Sequence, residues 1–309
     1  METVNVAFSC DRNFLIGLYV TTHTMIKNLS ADTAVHFHLF LDGISKQQND
    51  RYQRVISKYN PNANAQFTTY DIEPIKSKTA SLKGLHGNTS PYYIIFIPQL
   101  AKNLSRFIWL DVDTVVNCDL SSVYFEESSH IISAVPHKPM RFSGEKEYYE
   151  LMGLPLDSYE FNTGFLVVNA DEWRSENVTD KLLPLCQVNK HLMKAADQDI
   201  LNVLFNNNFH EIDRKYNVLF GPADKEHASD DLTYENKVCH FFGSPKPWER
   251  VALNSNPHSR YYEKVIKELN ISDLRFDHLY SRTGLYRYSR LTIRSLIKSL
   301  QYLRKIEKD

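Results

Sequence analysis

The sequence predicts an α/β protein whose core is a mostly parallel sheet with helices on both faces. Short apolar, β-branched runs alternate with longer stretches of helical periodicity from the N-terminus onward. A chain of 309 residues, 42% hydrophobic and 24% charged, can also bury a sizeable core. A repeated strand, helix, strand order implies parallel strands, because each helical crossover carries the chain back to the same edge.

The elements follow in order. "VNVAFSC" (4 to 10) has the length of a buried strand, and "LIGLYVTTHTMIKNLS" (15 to 30) spaces its apolar residues as a helix does. "VHFHLFLDG" (35 to 43) is a second strand ending in a turn. "SKQQNDRYQRVISKY" (45 to 59) is a helix opened by a Ser cap, and "AQFTTYDI" (65 to 72) is a third strand. "YYIIFIPQLA" (92 to 101) reads as a helix that stops at Pro98, and "RFIWLDVDTVV" (106 to 116) as a continuous strand. "HIISAVP" (130 to 136) is another strand, followed by an irregular or helical insertion over 138 to 155. "FNTGFLVVNADEWR" (161 to 174) runs from a turn through a strand into a helix, and "DQDILNVLF" (197 to 205) is a helix with acidic residues in its first turn. "VCHFFGSPKPW" (238 to 248) is a strand breaking into a Gly/Pro turn. There is no internal repeat.

Composition excludes several classes of function. A formal net charge of -1 gives no electrostatic footprint for nucleic acid. Four scattered cysteines, Cys10, Cys118, Cys186 and Cys239, form no C-x-x-C and no disulfide framework, which fits a reducing compartment. The N-terminus has no secretory pattern and no window reaches the roughly 18 apolar residues of a membrane span, so the expected location is cytoplasmic. The last stretch, 280 to 309, carries eight basic residues against Glu307 and Asp309. In it Ile293, Leu296, Ile297, Leu300 and Leu303 share a helical face flanked by Arg290, Arg294 and Lys298. Such a helix lies on an anionic membrane surface or docks on protein. The expected division is therefore a main domain over 1 to 279 and a basic amphipathic tail over 280 to 309, peripheral on the inner face of the cell membrane.

Chemistry concentrates at "LDVD". Asp111 and Asp113 end an apolar run, where ligands gather in sheets of this class. Two carboxylates ~5 Å apart repel by roughly 3 kcal/mol at an effective dielectric of about 20, and a divalent cation turns that repulsion into binding. Strand-end Asp pairs also cap helices or pair with Arg, so the pair needs support elsewhere.

"FSCDRN", "LDVD", "FNTGFLVVN", "DQDILN" and "HFFGSPKPW", in this order and spacing, resemble glycosyltransferase family 8, which includes bacterial lipopolysaccharide galactosyl- and glucosyltransferases and glycogenin. The resemblance covers about residues 4 to 250. It implies a GT-A-type α/β fold, a UDP-hexose donor, Mn²⁺ with Mg²⁺ as a substitute, a glycan or glycolipid acceptor and retention of anomeric configuration. Carried over residue by residue, Asp111, Asp113 and His240 would hold the metal. Phe8, Ser9, Asp11 and Asn13 would form the uridine pocket, with Asp11 accepting from the uracil N3–H. Asn162 and Gly164 would lie beside the sugar, and Gly243 and Lys246 against the diphosphate. Asp197 and Gln198 would sit beside the anomeric carbon. An amide is a poor nucleophile, so the resemblance favours front-side substitution, with Gln198 stabilising positive charge on the sugar.

The chain departs from the family at two places. Ile94 in "YYIIFIP" stands where an Arg usually contacts the donor, and His137 stands where an Asp often reads sugar hydroxyls. Both affect the sugar side, where Lys138 or Arg141 offers a replacement charge. Two further readings follow: a catalytically weakened partner subunit that binds UDP-sugar or glycan, and a metal-dependent nucleotidyltransferase. The second lacks a Gly-rich phosphate loop after the first strand.

Overall fold

The computed structural model describes residues 2–59, 65–84, 88–221, 234–253, 256 and 258–274. The basic tail over 280 to 309, with its amphipathic helix, lies outside the described residues. Among the described residues no helix is long and apolar enough to cross a membrane. The chain divides into two compact units, the first running to Val218 and including Glu235–His240, the second formed by described residues from Leu219 to Tyr234 and from Phe241 onward.

The first unit holds a seven-stranded sheet in the order β3-β2-β1-β4-β7-β6-β8. Its strands are β1 (Glu2–Asp11), β2 (Thr33–Asp42), β3 (Ala65–Thr69), β4 (Arg106–Leu110), β6 (Ile132–Pro139), β7 (Tyr159–Asn169) and β8 (His210–Glu211). Parallel pairing joins β1 to β2 and β4, β2 to β3, and β6 to β8. β7 runs antiparallel to both β4 and β6. That reversal matters for the site, because the start of β7 then lies at the edge where β1 and β4 end.

α1 (Leu15–Asn28) is buried from Leu15 to Ile26, a larger face than its apolar periodicity suggests. Its polar residues are buried because the chain behind them supplies partners: Thr21 Oγ1 lies 2.7 Å from the Thr114 carbonyl oxygen and 3.0 Å from that of Val112. α2 (Lys46–Lys58) opens at Ser45 with a capping box, in which Ser45 accepts from Gln48 N and the Gln48 side chain accepts from Ser45 N. α3 (Glu73–Thr79) follows β3, which stops at Thr69 rather than running to Ile72. The remaining helices of this unit are α4 (Ile97–Leu100), α5 (Ser121–Phe125), α6 (Lys146–Leu151), α7 (Ala170–Ser175), α8 (Val178–Asn189) and α9 (Asp197–Leu204).

Three expectations need correction. The segment around Pro98 is a 3₁₀ helix over Ser90–Phe96 that widens into α4, so Pro98 falls in a first helical turn, where a missing N–H costs nothing, instead of ending a helix. "RFIWLDVDTVV" is two strands: β4 stops at Leu110, Asp111–Asp113 turn away, and β5 (Thr114–Val116) leaves the main sheet to pair antiparallel with β10 (Val238–His240). "FNTG" is no turn but lies inside β7, whose hydrogen bonds to β4 and β6 hold it extended. The 138 to 155 insertion contains a 3₁₀ turn at Met140–Phe142 and the short α6. β9 (Val218–Leu219) is the last strand before β10.

The second unit centres on α10 (Ser259–Leu269), with Tyr262, Val265, Ile266 and Leu269 buried. Phe220 and Phe241 stack with ring centroids 5.7 Å apart, and Tyr234 Oη lies 2.7 Å from His258 Nδ1.

Candidate active site

The register of β5 on β10 sets Thr114 opposite His240, which draws the histidine beside the two acids of the β4–β5 turn. His240 Nε2 lies 3.3 Å from Asp113 Oδ1 and 3.7 Å from Asp111 Oδ2. One ligand atom from each of Asp111, Asp113 and His240 lies within 4.8 Å of the others. The His240 and Asp113 side chains are 4% and 9% exposed, while Asp111 at 39% opens the cluster on one side. The turn is held from behind: Thr114 Oγ1 donates to the Asp111 carbonyl, Asp111 N donates to the Gly164 carbonyl, and the α1 threonines cover the rest.

The donor set suits a hard divalent cation, with two carboxylates and an imidazole leaving an exposed side for further oxygen ligands. The second ring nitrogen of His240 supports this. Asn217 Nδ2 donates to Asn162 Oδ1 at 2.9 Å, which turns Asn217 Oδ1 toward His240 Nδ1 at 3.1 Å. Asn217 Oδ1 is thus placed to accept from Nδ1–H, which directs Nε2, toward the carboxylates, as the nitrogen that would ligate a metal. Gly164 makes room for the ring, since a Cβ there would come within 2.2 Å of His240 Cε1 and Nδ1.

The same hydrogen bonds continue to Gln198. Asn162 Oδ1 accepts from Gly164 N, Asn162 Nδ2 donates to Gln198 Oε1 at 2.8 Å, and Gln198 Nε2 donates to Glu160 Oε1 at 2.8 Å. Asn217 and Glu160 have no motif of their own in the sequence; the signal lay in their placement, one before a strand and one just before "FNTG". Asp197 is buried, and burial with the nearby negative charge of Asp111 holds its carboxyl well above the usual range, opposed by a hydrogen bond from Thr163. Ala196, just before it, has φ +55°, a strained conformation costing about 1–2 kcal/mol. Asp199 offsets that cost by accepting from Lys194 N at 2.7 Å and Ala195 N at 2.9 Å. Burial pushes the Asp199 carboxyl up to about 6.

The N-terminal residues lie at the end of β1. Asp11 caps the following turn: its Oδ1 accepts from Asn13 N and Phe14 N and its Oδ2 from Asn88 Nδ2. Ser9 Oγ donates to the Ser90 carbonyl. Phe8 is fully buried with its ring 5.9 Å from that of Phe37, so it serves the core, while Asn13 is exposed. Ile94 is also fully buried, in the apolar cluster beneath the 3₁₀ helix. His137 is exposed, and Arg141 is paired with Asp157. Gly243 and Lys246 belong to the second unit. There Gly243 has φ +80°, and Lys246 Nζ donates to the Phe241 carbonyl.

Comparison with known proteins shows the family and the fold. The family profile of glycosyl transferase family 8 matches residues 5–252. The lipopolysaccharide 1,2-glucosyltransferase of Escherichia coli (strain K12) is 25% identical over 274 residues, spanning 86% of this chain and 78% of that protein. The lipopolysaccharide 1,3-galactosyltransferase of Salmonella typhimurium is 24% identical over 275 residues, spanning 84% and 77%. The structure of the galactosyltransferase LgtC in complex with donor and acceptor sugar analogs superposes with a TM-score of 0.68 at 20% identity, over 86% of this chain and 96% of that one. That likeness shows the fold, a GT-A-type α/β architecture.

Proposed function

We propose a function from one premise: this chain belongs to glycosyl transferase family 8. It moves a hexose from a UDP-sugar to a glycan or glycolipid acceptor in the building of a bacterial surface polysaccharide, with retention of configuration. The observation that carries this reading is the convergence of Asp111, Asp113 and His240, joined by side-chain hydrogen bonds to Gln198. The names of the E. coli and Salmonella relatives support the lipopolysaccharide class of acceptor.

Asp111, Asp113 and His240 would hold a divalent cation, Mn²⁺ in the first place, whose positive charge would stabilise a leaving diphosphate without a general acid. The family pattern assigns Gly243 and Lys246 to the donor's phosphates, Lys246 through its positive charge. Asn162 and Asp197 bind sugar hydroxyls, and Asp11 with Ser9 and Asn13 binds the uridine, with Phe8 fixing the strand beneath them. The acceptor hydroxyl attacks the anomeric carbon on the face that UDP leaves. The bond from that carbon to the phosphate oxygen breaks, a glycosidic bond forms, and the hydroxyl proton passes to a β-phosphate oxygen. The Gln198 carbonyl oxygen, on the opposite face, stabilises positive charge on the sugar.

The test is NMR of the purified chain with UDP-glucose, UDP-galactose and UDP-N-acetylglucosamine, with and without Mn²⁺. Manganese-dependent loss of one donor's anomeric proton, with release of UDP and an initial α-sugar, supports the reading. Release of pyrophosphate or UMP would point to a nucleotidyltransferase. Manganese-dependent UDP binding without consumption, across a panel of glycan acceptors, would favour the weakened binding subunit that Ile94 suggests. The basic tail brings the enzyme to a lipid-linked acceptor on an anionic surface. Deleting residues 285 to 309 then weakens binding to anionic vesicles in a salt-sensitive way, and salt-independent binding would count against it.

A further inference from the structure

We infer that Glu160 is a positioning residue for the transfer, its carboxylate orienting and polarising the Gln198 side chain. The inference rests on the glycosyl-transfer reading and adds a residue to it. The two ends of the Gln198 amide are alike in shape and opposite in polarity, so the end that faces the sugar decides whether the group stabilises or repels a positive anomeric carbon.

Two neighbours on β7 fix that choice. Asn162 Nδ2 donates to Gln198 Oε1, and Gln198 Nε2 donates to Glu160 Oε1, both at 2.8 Å. Turning the amide over would set N–H against N–H at Asn162 and oxygen against oxygen at Glu160. Asn162 cannot turn with it, because its Oδ1 accepts from Gly164 N and from Asn217 Nδ2, both at 2.9 Å. The spacing of strand and helix is fixed as well. Asn202 accepts from Phe161 N and donates to the carbonyls of Phe161 and Gln198, tying β7 to the first turn of α9.

Glu160 is 3% exposed, and although burial raises its carboxyl above the ordinary range, hydrogen bonds from Ser143 and Gln198 and the charge of Lys138 favour the ionised form, which water screens little. A carboxylate that accepts from an amide N–H shifts electron density toward the amide's carbonyl oxygen. That oxygen keeps a second lone pair beyond the one Asn162 engages. Gln198 thereby gains part of a carboxylate's electrostatic effect without becoming a nucleophile.

The test compares full-length Glu160→Gln and Glu160→Leu, each alone and combined with Gln198→Ala. Glu160→Gln keeps the shape and an acceptor while removing the charge. It should lower kcat for UDP-hexose consumption by about tenfold, with donor KM within about twofold. Neither Glu160 substitution should lower kcat further once residue 198 is Ala, and without donor both should move the Gln198 side-chain amide signals in ¹⁵N–¹H spectra. Equal losses in the Gln198→Ala background, a raised KM with kcat unchanged, or unmoved Gln198 signals would overturn the inference. If Glu160→Leu does not fold, Glu160→Gln alone decides. A wild-type chain that consumes no UDP-hexose defeats the transfer reading, whereas the amide spectra still report whether Glu160 holds Gln198.

Discussion

Asp11 ends β1 and Asp113 lies just beyond β4, the two strands being parallel neighbours in one sheet, yet their surroundings differ in kind. Asp11 accepts from the backbone of Asn13 and Phe14 and from the Asn88 side chain, so much of its hydrogen bonding builds a local turn. Asp113 faces Asp111 and His240, and the histidine continues through Asn217, Asn162 and Gln198 to Glu160. The bonds between side chains in that network span 23 to 55 residues. The first acid mainly caps the backbone of its own turn, with one long-range bond to Asn88, whereas the second belongs to an assembly that forms only when distant strands pair.

If that difference is real, substitutions along the network should cost more activity than stability, and those at the local turn the reverse. The largest expected effect is Asp113→Ala, which should lower metal-dependent UDP release by more than ~100-fold while leaving the thermal midpoint within a few degrees. Unchanged turnover would remove the acidic pair from the account. Asn217→Ala, which removes the hydrogen bond to His240 of the candidate metal cluster, should weaken Mn²⁺ binding by roughly 10–100-fold in a calorimetric titration. A full-affinity variant would mean that the histidine needs no orienting partner.

Gly164→Ala sharpens the comparison on the stability side. Its methyl would press on the buried His240 ring, costing about 1–3 kcal/mol in urea unfolding and some metal affinity as well. At the local turn, Asp11→Ala should cost ~1 kcal/mol through the lost cap, and Asp11→Asn should recover most of it. A normal donor KM in Asp11→Asn would show that the residue caps and does not read uracil. A separate, pH-dependent effect concerns β2. His38 is buried beside His36, its imidazole stacked on that ring, and burial first and the neighbour second push its pKa down to about 3. A folded-state pKa below the ordinary 6.5 means that stability is full above pH 6.5 and falls as pH drops from there toward 3. Urea midpoints recorded across that range should show the decline, and His38→Gln should flatten it.

Legibility in the sequence followed the same division. The Ser45 cap was readable because its partner, Gln48, is three residues away, and the Asp111–Asp113 pair because both acids stand together at the end of an apolar run. The alternation of strands and helices gave β1 to β3 and their parallel order. The break between β4 and β5 was hidden, because the pull on Thr114–Val116 comes from β10, more than a hundred residues on. The burial of Thr21 and Thr24 was hidden too, since their partners are carbonyl and amide groups of the β4–β5 segment. Asn217 and Glu160 are ordinary polar residues in the sequence. Their roles come from the antiparallel insertion of β7, which brings the start of that strand to the edge where β1 and β4 end.

The most direct test of the central claim is a Mn²⁺ titration followed by electron paramagnetic resonance, comparing the full chain with Asp113→Ala and His240→Ala, each with and without UDP. The account predicts one site in the unaltered chain that tightens when UDP is added and is lost in both variants. Equal Mn²⁺ binding by all three proteins, or binding that UDP leaves unchanged, would contradict it.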